Sequence, residues 1–548
     1  MAQEFKLKGL TSLNLKNGEK QEVEVEGVEG GKVLLLKVQD EVHATSANCT
    51  HFGAPLKNGV LTPDGRLTCP WHGACFNVST GDVEDAPALD PLSKYELTEK
   101  DGAVFVKTDE STLKANRRFL NLKCSSGGNE KVLVIGGGSG TLGAIEGLRG
   151  GGYNGQITVV SKEGHQPIDR TKLSKALLAD LSKAAWRSKD FYKDASIDFI
   201  EDEVKSVDFG GKKVTTASGN SLDYTKLVLA TGGTPRWLPL PGLRKGELGN
   251  VFVLRALPDT QGIVKAVGDN GKKIVVIGSS FIGMEVGNCL AGMKNDVSII
   301  GMESEPMERV MGSKVGKIFR GLLEKNGVKF YMGASVEKAS PSKSDTSKVG
   351  AVHLKDGTVL EADLVIEGVG VAPATEYLKE SGVTLEKDGS LKTNESFEVE
   401  GLGDVYAIGD IATYPYHGPG GDGALVRIEH WNVAQNAGRS VANSIAHPGA
   451  KAKPFIPVFW SALGSQLRYC GNTVAGYDDI VLVGEAEKPS FIAYYTKGET
   501  VVAVATMMKD PYMVQSAELM RRGKMATKSE LQKGVDILEL EVPPEIKM

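Results

Sequence analysis

Lys131-Val-Leu-Val-Ile-Gly-Gly-Gly138 continues as Ser-Gly-Thr-Leu-Gly-Ala-Ile-Glu-Gly-Leu-Arg149. An apolar strand runs into glycines, and a helical pattern follows. The next apolar stretch, Ile157–Glu163, is a second strand. The same grammar returns at Lys273–Ser280, which enters a helix, and at Asp296–Glu303. Two strand–turn–helix–strand units predict two Rossmann-like α/β nucleotide-binding domains.

The first turn is Gly136, Gly138, Ser139 and Gly140, with Thr141 in the place of the third motif glycine. Glycine lets the backbone approach a pyrophosphate, and the helix start supplies N–H donors. A frame from Gly138 to Gly143 also completes the motif, but the strand ends at Ile135, which favours the first frame. Glu163 lies where an acid can accept adenosine ribose hydroxyls. Lys226–Arg236 (KLVLATGGTPR, with Thr231 and Gly232) and Asp404–Ala412 (DVYAIGDIA) have the form of two further flavin-fold motifs. Asp410 would meet the ribityl chain, with a following helix aimed at phosphate. Together these call for FAD.

The second turn is Gly278-Ser-Ser280-Phe-Ile-Gly283, with Ser280 in place of the middle glycine. Glu303, near the end of the next strand, favours NADH, whereas Arg309 could meet the 2′-phosphate of NADPH. NADH is the expected donor and NADPH the lesser one. Gly370, in Gly368–Pro373, belongs to a loop of the kind that lies along a nicotinamide.

Outward toward the N-terminus, Cys49-Thr-His51 and Cys69-Pro-Trp-His72 supply two thiolates and two imidazoles on two loops. Two cysteines on one iron and two histidines on the other make a Rieske-type [2Fe–2S] cluster. Structural zinc is the rival, but zinc fingers usually place like ligands together. Cys75 reads as a small buried residue.

Residues 1–108 read as an all-β Rieske domain and 109–129 as a polar linker. Residues 130–253 and 380–450 form two parts of an FAD domain. Residues 254–379 form the nicotinamide domain, and 451–548 an α+β C-terminal domain. A net charge of -5 argues against a nucleic-acid partner, and six cysteines are too sparse for a secreted disulfide scaffold. No segment approaches a membrane span. The expected compartment is the cytoplasm, and mitochondria stay open if a presequence was removed. Oligomeric state is not readable.

CTHFGAPL, CPWHGACF, IGGGSGTLGAIEGLR, DRTKLSK, SSFIGMEV, AIGD and EHW together resemble the Rieske-containing, apoptosis-inducing factor-like flavoproteins. The flavoprotein part is similar to ferredoxin reductases of glutathione reductase-type fold. The resemblance implies that Lys175 pairs with Glu285 beside the flavin. It places Arg170 near the flavin, Glu429, His430 and Trp431 on its nicotinamide side, and Phe459 and Trp460 in a segment reaching it from the C-terminal domain. No cysteine pair follows the first turn, which argues against thiol–disulfide chemistry. The expected activity is electron transfer from NAD(P)H through FAD to the fused cluster and on to an unknown one-electron acceptor. The alternative is a slow-turnover, NADH-sensing interaction protein.

Overall fold

Both glycine turns leave five-stranded parallel sheets. The computed structural model describes residues 3–453, 455–485 and 488–547. Across the first sheet run Ile197–Glu201, Gln156–Ser161, Lys131–Ile135, Lys226–Leu229 and Val405–Ala407. Across the second run Val251–Val253, Leu364–Glu367, Lys273–Ile277, Asp296–Ile300 and Lys329–Tyr331. Parallel strands covered on both faces need continuous apolar runs. Val132, Leu133, Val134 and Ile135 are accordingly all buried.

Helix Ser139–Gly150 lies against helix Trp431–Ala446 at glycine contacts. A Cβ on Gly143 would sit 2.1 Å from the Gln435 carbonyl oxygen, and one on Gly438 2.1 Å from that of Gly140. The last glycine of the alternative frame therefore serves helix packing.

Residues 3–108 form two antiparallel sheets. One has six strands, Gln3–Lys6, Ala103–Thr108, Lys94–Lys100, Glu41–Ser46, Lys32–Val38 and Lys20–Glu24 in spatial order. The other has four, Val60–Leu61, Arg66–Thr68, Cys75–Asn77 and Val83–Asp85. The C-terminal region carries a five-stranded antiparallel sheet with helix Tyr512–Arg521 against it. No helix among the described residues is long and apolar enough to cross a membrane.

The β-rich N-terminal domain sits on the C-terminal domain through buried charges. Arg66 pairs with Asp85 at 2.6 Å and reaches Glu518 at 3.6 Å. Arg522, 0% exposed, bonds Glu518 at 2.5 Å and Asp64 at 2.7 Å. Lys453 reaches Asp85 at 2.9 Å, and Arg521 lies 3.7 Å from it. The network has four cations, Arg66, Lys453, Arg521 and Arg522, for the acids Asp64, Glu84, Asp85 and Glu518. Burial alone would raise Asp85, but Lys453, Arg66 and Arg521 hold it well below the carboxylate range. Asn436 accepts from the Ala86 N–H at 2.8 Å, and Arg187 joins Asp90 (2.8 Å) to Glu146 (3.0 Å).

Residues 109–129, read above as a linker, run along this junction. Helix Glu110–Ala115 puts Leu113 into the N-terminal core, and Leu122 enters the core around the first parallel sheet. Backbone bonds join Arg118 to Pro91 (3.0 Å), Cys124 to Asp194 (3.1 Å) and Gly127 to Asn154 (3.2 Å). Polar composition alone does not reveal such ties, because their partners are distant backbone carbonyls.

Candidate functional site: two loops of Cys and His over a double nucleotide crevice

The two Cys/His loops have the same backbone. Cys49 N–H donates to Ala54 and Gly53 N–H to Cys49; Cys69 N–H donates to Ala74 and Gly73 N–H to Cys69. Gly53 and Gly73 turn each loop with φ of 76° and 73°. The side chains then meet in like pairs. The Nδ1 atoms of His51 and His72 lie 3.2 Å apart, and Cys49 and Cys69 are both buried. The neighbouring Cys69 thiol, with burial, raises Cys49. Burial opposes charge on Cys69, but Cys49 and the Trp71 and His72 N–H groups hold it lower. Burial, with the charge of Lys172, lowers His51 to about 3, so its imidazole is neutral. Among the described residues no three His, Cys, Asp or Glu side chains converge on one ion. Nitrogen with nitrogen and sulfur with sulfur fits the two ends of a dinuclear cluster. Cys75 is fully buried beside Thr68.

The first crevice opens above Lys131–Ile135. Gly136 has φ 110°, and a Cβ there would lie 2.2 Å from the Ala230 carbonyl. A Cβ on Gly138 would meet nothing within 4 Å. Helix Ser139–Gly150 begins beside Gly138 with no side-chain cap on its first N–H groups. Thr141, where a third glycine was expected, is buried and donates its hydroxyl to Gly136 O at 2.7 Å. Open backbone and uncapped N–H groups fit a dinucleotide pyrophosphate.

Side chains cross this crevice in a chain. Glu163 lies two residues beyond strand Gln156–Ser161 and pairs with Arg170. Burial pushes Glu163 up, but Arg170, with His165 and Arg255, brings the carboxyl below its ordinary value. Arg170 donates to the Arg255 carbonyl at 3.1 Å, and Arg255 to Asp410 at 2.6 Å. The Arg255 guanidinium also lies 2.9 Å from where a Gly232 Cβ would be. Thr231 donates to Ala374 O at 2.8 Å. No motif marks Arg255, so sequence reasoning missed it.

One expectation is corrected. Gly409–Ile411 is a single turn followed by strand Ala412–Tyr416, so a strand and not a helix comes directly after Asp410; the next helix, Trp431–Ala446, lies with Ala434 against Gly409. Thr413, Tyr414 and Tyr416 suit a strand, and Pro415 cannot lie inside a helix.

Lys175 meets Glu285 at 3.0 Å. Glu285 also accepts from Ser174 and Ser461, both at 2.5 Å, so three domains share one carboxylate. His430 caps helix Trp431–Ala446, accepting from Asn432 N–H at 3.2 Å. Burial, then the charge of Lys175, lowers His430 to about 3.

The second turn repeats the first. Gly278 has φ 110°, like Gly136, and a Cβ there would lie 2.3 Å from Gly368 O. Ser280 takes φ -94° and ψ -172°, close to the -91° and -163° of Gly138. That extended conformation admits a side chain, so the serine keeps the turn. A Cβ on Gly283 would sit 2.0 Å from Gly278 O, so helix and strand approach at that glycine. Glu303 and Arg309 pair with each other at 2.7 Å. Gly370 has φ 95° and open space beside it. Glu367, ending the neighbouring strand, accepts from Leu238 N–H at 2.8 Å, and burial raises it to about 7.

The Cys/His loops meet the first crevice through aromatic rings. His72 and Trp460 have centroids 4.5 Å apart. Trp460 is buried and lies 5.0 Å from His430. Trp186, a second residue the sequence did not mark, lies 5.8 Å from His51 and 6.2 Å from Trp431.

Residues 7–96 match the Rieske [2Fe-2S] domain, 130–438 the pyridine nucleotide-disulphide oxidoreductase family and 458–539 the reductase C-terminal domain. The chain is 37% identical to apoptosis-inducing factor 3 of Homo sapiens over 527 residues, covering 95% of this chain and 84% of that protein. It is 32% identical to putidaredoxin reductase of Pseudomonas putida over 401 residues, 71% of this chain and 92% of that one. Among solved structures, it resembles the covalent putidaredoxin reductase–putidaredoxin complex with a TM-score of 0.67 and 30% identity. That match covers 72% of this chain and 93% of the other. With its sheets, turns and cluster-type loops in that order, the chain belongs to the pyridine nucleotide-disulphide oxidoreductases as an NAD(P)H flavoprotein oxidoreductase bearing a Rieske domain.

Proposed function

We propose that the protein holds FAD in the crevice above Gly136 and a Rieske cluster at Cys49, His51, Cys69 and His72. It would take electrons from NADH and deliver them through the cluster to a separate one-electron acceptor. When bound, the flavin supplies the exchange between a two-electron hydride donor and a one-electron carrier. The observation that carries this reading is the 4.5 Å approach of His72 to Trp460 at the edge of the crevice. His72 and Trp460 are both buried, so this contact would join the two proposed cofactor sites through rings shielded from solvent.

The chain's own residues divide the work. The N–H groups of Ser139 and Gly140 and the Arg255 cation would meet pyrophosphate charge, and Glu163 the ribose hydroxyls. Asp410 would accept from the ribityl chain. Lys175, oriented by Glu285, would place positive charge where the reduced flavin gains negative charge. Trp431 and Trp460 would close the crevice on either side. Gly278, Ser280 and Gly283 would form the nicotinamide nucleotide turn, with Gly370 along the nicotinamide.

Glu303 favours NADH by accepting ribose hydroxyls. Glu303 pairs with Arg309, whose side chain is 78% exposed and would be a cation for a 2′-phosphate. Glu303→Arg is expected to narrow or reverse the ratio of kcat/KM for NADH over NADPH. Equal values for the two donors in the unaltered protein would remove Glu303 from this role.

An anaerobic NADH titration followed by visible and electron paramagnetic resonance spectra tests the whole reading. Flavin absorbance should bleach first and a Rieske signal should then appear. Stoichiometric zinc without acid-labile sulfide, or FMN in place of FAD on release, would overturn it. So would very slow delivery to every acceptor together with an NADH-dependent change in molecular size.

A further inference from the structure

Lys172 lies in the DRTKLSK stretch beside Arg170 and Lys175, yet no role above uses it. Its ammonium is held by two aromatic faces, 5.4 Å from the Phe52 ring centroid and 5.7 Å from that of Trp186. Phe52 in turn stacks on His51 with centroids 3.8 Å apart, and Trp186 lies 5.8 Å from His51. A cation of the flavoprotein part is thus clamped beside a cluster-type ligand of the N-terminal domain. Ring quadrupoles attract an ammonium, most strongly where water is partly excluded. The Lys172 side chain is 35% exposed.

This charge has an acid partner. Asp169 lies 3.5 Å from the ammonium and is buried, and its other oxygen accepts from the Thr171 N–H (3.1 Å) and hydroxyl (2.6 Å). Those bonds tie the carboxylate to its own turn while the ammonium extends over Phe52 and Trp186. The positive end of the pair thus lies over the two rings that flank His51.

We propose that Lys172 is a positioning residue for charge, setting the reduction potential of the cluster from across the domain junction. The proposal rests on reading Cys49, His51, Cys69 and His72 as Rieske ligands. Reduction moves one electron from reduced flavin to the cluster, oxidising the flavin by one electron and lowering one ferric ion to ferrous, with no bond made or broken. The cluster gains one negative charge, and a fixed cation nearby favours that state. Lys172 thereby biases the shared electron toward the cluster.

The test is an anaerobic potentiometric titration of the holoprotein, following the cluster by electron paramagnetic resonance and the flavin by absorbance. Lys172→Met keeps an unbranched apolar stem and removes the charge. It is expected to shift the electron distribution away from the cluster by about threefold to tenfold, tenfold being about 59 mV for one electron. Lys172→Arg should restore the wild-type potential, because it keeps charge and ring contact. The line shape should stay the same throughout, which marks an electrostatic effect and not a changed ligand set. A Lys172→Met potential equal to wild type, or no rescue by arginine, overturns the proposal. Absence of a Rieske signal in the unaltered protein would instead defeat the ligand reading and the proposal with it.

Discussion

Cys69→Ser is expected to leave flavin reduction by NADH nearly unchanged while delivery to any acceptor that draws on the cluster falls by orders of magnitude. On the proposed ligand set Cys69 would be one of the two thiolates on one iron, and a serine hydroxyl is a poor substitute. The loop should keep its shape, since its bonds run from Cys69 N–H to Ala74 and from Gly73 N–H to Cys69, through backbone alone. Cysteine and imidazole ligands offer no atom that accepts hydride, so electrons from NADH must enter at the flavin. Stopped-flow traces at the flavin and cluster bands separate the steps. Loss of both, or retention of both, would show that the roles are wrongly assigned. Deleting residues 1–108 is a poorer test. It would uncover Trp460, now 6% exposed, and strip Glu518, Arg521 and Arg522 of their partners Arg66, Asp85 and Asp64.

Arg522→Ala should release the N-terminal domain from its dock. Arg522 is fully buried and satisfies Glu518 and Asp64 together while donating to the Pro543 carbonyl. Removing one member of a buried ion pair leaves an uncompensated charge and costs about 3–5 kcal/mol. Arg66, 3.6 Å from Glu518, should absorb part of that, so a loss of about 3 kcal/mol is expected. The urea midpoint of the cluster's visible band should fall, and transfer from flavin to cluster should slow while NADH still reduces the flavin. An unchanged midpoint would mean that the network does not hold the junction.

The legible features were local. Gly136 and Gly278 announce themselves because a strand followed by a forced positive φ leaves only glycine, and both have φ 110°. The Cys/His loops stand out because four candidate ligands fall within 24 residues, Cys49 through His72. Lys175 and Glu285 needed the family resemblance, since 110 residues separate them. The residues that join the domains left no such trace. Trp186 and Arg255 sit in no motif, and the charges of Asp64 and Arg522 become partners only when two domains close over them. Residues 109–129, read as a polar linker, bond to Asp90, Asp194 and Asn154, partners that their composition does not show. Asp410 misled differently: its glycine turn fits the flavin pattern, but the Thr-Tyr-Pro-Tyr after it builds a strand.

The buried charges at the junction also decide what kind of kinetics the molecule obeys. A carrier and reductase that meet by diffusion depend on concentration, and salt weakens their mutual steering. Here His72 already rests on Trp460, and Arg522, beneath Asp64, is screened from salt by burial. Encounter is replaced by a standing arrangement, so on the proposed function reduction of the cluster would be a first-order event inside one molecule. Its rate constant should be indifferent to dilution and nearly indifferent to ionic strength, leaving those sensitivities to the step at which electrons depart.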